Sequence, residues 1–74
     1  MTRIEMYKHL SISVDYHLKI IDYAKIKNNK SLAEKFYTAI ISLVGNYYRF
    51  NKISFDAKHY FNNRIAKNTE WMFK

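Results

Sequence analysis

Residues 8–14 read Lys8-His9-Leu10-Ser11-Ile12-Ser13-Val14, and the fold turns on them. Leu10, Ile12 and Val14 alternate with His9, Ser11 and Ser13, a strict period of two that includes β-branched side chains. Such alternation predicts a half-buried β-strand, apolar on one face and polar on the other. Asp15 follows, a carboxylate placed to accept the free N–H groups that open a helix. From Tyr16 the period changes. Leu18, Ile21, Ala24 (or Tyr23) and Ile26 fall near one stripe, with Lys19, Lys25 and Lys27 outside it. Asn28-Asn29 predicts the end of this helix, because asparagine tolerates left-handed backbone better than other residues with a side chain.

Further along, Ser31-Leu32-Ala33-Glu34 fits a capping box, with serine at the N-cap and glutamate three residues on. A second helix is expected from there to Tyr48 or Phe50. Leu32, Phe36, Ile40 and Val44, with Ala33, Tyr37 and Ile41, form its broad apolar band. It crosses Gly45 at a cost of roughly 1 kcal/mol relative to alanine. A third helix is expected from Ser54 or Asp56 to about Glu70, with Ala57, Tyr60, Phe61, Ile65 and Met72 on one side. The expected fold class is thus mainly α with one short strand.

A lone strand of about six residues is not stable in water, and the chain offers no second one to pair with it. The simplest solution is antiparallel pairing with the same strand of a second copy, about a two-fold axis. Leu10, Ile12 and Val14 of both copies would then lie on the helices and, with Leu18, Ile21, Phe36 and Ile40, make the core of a homodimer. Size leads to the same expectation. A chain of 74 residues buries only about 60% of its unfolded surface. It has no cysteine to cross-link it, yet 49% of its residues are apolar and 18% aromatic. Association is the remaining way to enlarge the core.

The 13 lysines and arginines outnumber the 6 aspartates and glutamates, for a net charge of +7. The excess is spread: +3 over residues 1–30, +1 over 31–51 and +3 over 52–74. A basic domain of this size fits nucleic acid, an anionic membrane surface or an acidic protein. Of the two elements that enter the major groove of B-DNA, one is a two-stranded ribbon.

From His9 to Val44 the order is an alternating strand, an aspartate, a helix with leucine and alanine, an asparagine turn, and a serine before a second helix. In this order the chain resembles the ribbon-helix-helix repressors. The resemblance implies that residues 1–50 form a DNA-binding and dimerisation domain and residues 51–74 a helical extension. It implies base contacts from His9, Ser11 and Ser13. It also implies phosphate contacts from the start of the second helix, at Ser31, Leu32 and Ala33. A helix N-terminus favours anions on physical grounds as well. Lys27 and Lys30 flank it, and Arg3 precedes the strand as a further phosphate contact.

The expected function is therefore sequence-specific binding of double-stranded DNA by a dimeric repressor. One alternative is the antitoxin of a two-gene module, with residues 51–74 covering the toxin; another is a small helical protein-interaction module. No acid pair, glycine-rich phosphate loop or nucleophile with a base points to an enzyme. No cofactor or metal is expected: His17 and His59 are isolated and lack ligand spacing. Arg3, Glu5 and Lys8 interrupt any leader-like apolar stretch, and residues 39–44 are too few to span a bilayer, so the chain reads as cytoplasmic.

Overall fold

The computed structural model describes residues 2–74. They form three helices, α1 (Arg3–Ile26), α2 (Lys30–Arg49) and α3 (Phe55–Thr69), followed by a short 3₁₀ turn at Glu70–Phe73. The described residues contain no β-strand, so the expected ribbon-helix-helix architecture is overturned. The strand-paired homodimer falls with it. Residues 8–14 lie inside α1, and Asp15 caps nothing because it sits mid-helix.

Helix α1 opens at Thr2 instead. The Glu5 N–H donates to Thr2 Oγ1 at 3.1 Å, and the Thr2 N–H donates to Glu5 Oε1 at 3.2 Å, a reciprocal capping box. From there one apolar series runs the length of the helix: Leu10, Val14, Leu18, Ile21 and Ala24, at steps of 4, 4, 3 and 3, are all buried. Leu10 and Val14 belong to this series as well as to the period of two. Ile12 belongs only to the alternation; it lies about 200° around the helix from either neighbour and is 67% exposed. Leu10 and Val14 fit both periods, and the helix satisfies every backbone group locally where a lone strand could not.

Asparagine closes both interhelical turns. Asn28 has φ 54°; its N–H donates to the Lys25 carbonyl at 3.1 Å, and that of Asn29 donates to Ala24 at 2.8 Å. Asn51 has φ 60°; its N–H donates to Tyr48 at 2.9 Å, and that of Lys52 donates to Tyr47 at 2.8 Å. Both are Schellman motifs, in which left-handed backbone lets the last helical carbonyls be capped. Asn29 then starts α2, its side-chain oxygen accepting from Leu32 N–H at 3.1 Å. The cap is therefore Asn29 and not Ser31, because the preceding Schellman turn delivers Asn29 to that place. Ser54 caps α3, accepting from Ala57 N–H at 3.1 Å.

These short turns fold the helices into an elongated up-down-up bundle measuring 38 × 19 × 15 Å. Its core joins the α1 series to Ala33, Ile40 and Val44 of α2, to Ile53, and to Phe61 and Ile65 of α3. Met72 closes one end from the 3₁₀ turn. Thr69, also buried, is satisfied by its own helix, its hydroxyl donating to the Ile65 carbonyl at 2.7 Å. Of the expected dimer-core residues, Leu10, Val14, Leu18, Ile21 and Ile40 are buried within one chain. Phe36 is partly buried, and Ile12 is exposed.

Candidate nucleic-acid interface

On a helix, His9, Ser11 and Ser13 are each 200° from the next, so they do not share a face. His9 is exposed, whereas both serines are half-buried. The Ser13 carbonyl already accepts from His17 Nδ1 at 2.7 Å. The expected base-reading edge is thus dispersed around α1. The expected phosphate contacts divide between the two ends of the bundle. Lys27, Lys30 and Ser31 are exposed at the α1–α2 turn. Ala33 is fully buried and Leu32 partly so; their N–H groups are taken by the Asn29 carbonyl and side chain at 3.2 and 3.1 Å. Arg3 lies at the opposite end, about 36 Å away along α1. There its guanidinium donates to the side-chain and main-chain oxygens of Asn51.

The structure instead brings a different set together on α3. Tyr60, Asn63, Arg64 and Lys67 line a shallow surface depression of about 310 Å³. Their spacing is i, i+3, i+4 and i+7, one stripe of a helix. Tyr60 is 51% exposed, its ring edge resting on buried Phe61 at 5.3 Å between centroids. Arg64 is paired with Asp15 across the α1–α3 groove, and its carbonyl accepts from Asn68 Nδ2 at 2.8 Å. The two charged side chains are 33% and 58% exposed, so the pair is a surface ion pair worth at most about 1 kcal/mol. Arg64 is therefore anchored and oriented, yet cheaply released to a stronger acceptor.

A separate group of cations and aromatic rings lies at the α2–α3 corner, Lys58 being 200° around α3 from Tyr60. Lys58 Nζ lies 4.6 Å from the Tyr48 ring centroid and 6.0 Å from that of Phe55. Phe55 and His59 lie nearly parallel, 14° apart in plane and 6.1 Å between centroids. Lys52 covers Tyr47 at 5.4 Å. Such contacts at exposed sites are worth about 0.5–1 kcal/mol and favour these positions of the ammonium groups.

The α3 stripe carries side chains suited to groove recognition. An asparagine amide pairs with adenine, a guanidinium with guanine, and a lysine with phosphate. Its sequence signal is the helical spacing of Tyr60, Asn63, Arg64 and Lys67, which gains meaning only once the buried face of α3 is known. Among the described residues no group of three or more His, Asp and Glu side chains is placed to hold a metal ion. No described helix is long and apolar enough to cross a membrane. Comparison with known protein families, with curated proteins and with solved structures finds no match.

Proposed function

We propose that this protein binds double-stranded DNA with α3 lying in the major groove. The observation that carries this reading is the stripe of exposed Tyr60, Asn63 and Lys67 with half-buried Arg64 on a helix of 15 residues. A major groove about 12 Å wide admits one helix, and the bases then meet side chains from successive turns of a single face. Asn63 and Arg64 address base edges, while Lys67 and the Tyr60 hydroxyl address phosphates. The net charge of +7 supplies attraction that does not depend on sequence. Occupation of a groove by such a domain denies it to other proteins, which is how a repressor acts.

The test is anisotropy titration of labelled duplexes across a range of salt, with selection from random duplexes to find the preferred site. Lys67→Ala should weaken binding to all sequences and lower the log–log salt slope by about one. Asn63→Ala should relax preference at one base position, a loss of about 1–3 kcal/mol in discrimination. Variants that bind as the parent does, or a parent without salt-dependent affinity for any duplex, would refute the proposal.

A further inference from the structure

Helix α1 carries a second seam on its outer side, bordered by α2 where the Tyr16 ring lies 6.4 Å from that of Phe36. Glu5, His9, Ile12, Tyr16, Lys19, Tyr23 and Ile26 follow one another at alternating steps of 4 and 3, the repeat of a coiled-coil interface sustained over 22 residues. The first two and Lys19 are exposed as expected of polar groups. The apolar members are exposed too: Ile12 67%, Tyr16 57%, Tyr23 52% and Ile26 81%. Scattered exposed apolar residues need no explanation, but four on one seam about 21 Å long do.

Charge selects the occupant. Within α1 four basic residues (Arg3, Lys8, Lys19, Lys25) meet three acidic ones (Glu5, Asp15, Asp22), leaving +1. From Lys27 onward nine basic residues meet three acidic ones, leaving +6. An anionic partner is drawn more strongly to that remainder than to α1. The α1 seam is the surface on which two strongly positive copies can approach with least repulsion. We infer that the outer seam of α1 pairs with the same seam of a second copy, antiparallel, to form a two-fold dimer.

Antiparallel register follows from Lys19. In a parallel pair each Lys19 would face its own copy across the seam. With the two-fold axis between residues 17 and 18, each Lys19 ammonium meets the partner's Tyr16 ring, an attractive cation–π geometry. The same register sets Ile12 against the partner's Tyr23 and His9 against the partner's Ile26. Lys8 falls opposite the partner's Lys27, a repulsion that limits affinity. Four partly exposed side chains bury on the order of 500 Å² per copy, about 1,000 Å² in all, the low end for a specific interface. The dimer is accordingly weak, half-formed at a concentration on the order of 10–100 µM. This surface is separate from the α3 stripe, so its test is independent of DNA binding.

Sedimentation equilibrium on the full chain from about 1 to 500 µM decides the matter. The weight-average mass should rise from 9.0 kDa toward twice that value. Ile12→Glu should hold it at the monomer value while leaving the far-ultraviolet dichroism of the bundle unchanged. Lys19→Leu gives up the cation–π contact but buries an apolar side chain in its place, and should tighten association about tenfold. The inference is overturned if the parent and Lys19→Leu both stay monomeric throughout, or if Ile12→Glu associates as the parent does. It is also overturned if the seam proves to bind uncharged phosphatidylcholine vesicles, in an Ile12-dependent way, in place of a second copy.

Discussion

The contrast between Leu10 and Ile12 gives the sharpest test of the helix over residues 8–14. A strand would place both side chains on the same buried face, and truncating either would cost about the same. In α1, Leu10 is fully buried and Ile12 two-thirds exposed. Leu10→Ala removes three buried carbons from a closed core, a change that costs about 3–5 kcal/mol. Ile12→Ala gives up about a third of a side chain's burial, roughly 0.5–1 kcal/mol, and regains part of that through the better helix propensity of alanine. Its net cost should stay within about 0.5 kcal/mol. A domain of this length has a total stability of about 4–11 kcal/mol, so Leu10→Ala should remove a large fraction of it. Urea denaturation followed by far-ultraviolet dichroism, at low micromolar concentration to keep the chain monomeric, reads both changes. With a slope near 1 kcal/mol per molar, Leu10→Ala should lower the midpoint by about 3 M or more and Ile12→Ala by less than about 0.5 M. Equal losses for the two variants would refute the helix.

Two further substitutions probe the packing. Gly45 lies within α2, and a Cβ added there would meet nothing within 4 Å. Gly45→Ala should stabilise the bundle by about 1 kcal/mol and raise Tm by roughly 4–8 °C, and a scanning calorimetry trace with unchanged or lower Tm would contradict this. The indole Nε1 of Trp71 is buried with no hydrogen-bond partner, a condition that costs about 1–3 kcal/mol. Trp71→Phe removes that orphan donor together with part of the ring, so chemical denaturation should register a change below about 1 kcal/mol, and a loss above about 2 would contradict this.

Helix α2 was legible in the sequence because its apolar band is wide, and the end of α1 because its asparagine stop carries a mechanism. Asn28 does take left-handed backbone, and Ser54 does cap α3. The first 15 residues misled because Leu10 and Val14 satisfy both periods. The deciding information lay outside the stretch, in Leu18, Ile21 and Ala24, which continue the helical series, and in Thr2 and Glu5, which open it. Ser31-Leu32-Ala33-Glu34 carried a genuine capping pattern one turn edge too late, since only the geometry of the preceding turn makes Asn29 the cap. The basic character of the chain was plain from composition. Its arrangement was not, because whether Arg64 or Arg3 faces a ligand depends on Asp15 and Asn51, some 50 residues away along the chain.

The two asparagine corners have a consequence for how the bundle comes together. Three residues separate α1 from α2 and five separate α2 from α3, so each helix meets its first neighbour almost at once. Only the meeting of α1 with α3 closes a long loop, and the entropy of closing it grows slowly with length. Helical topologies of this local kind fold within microseconds to milliseconds. Speed matters for a chain whose first helix is greasy on two sides, since collapsed intermediates with bare apolar surface are the ones that aggregate.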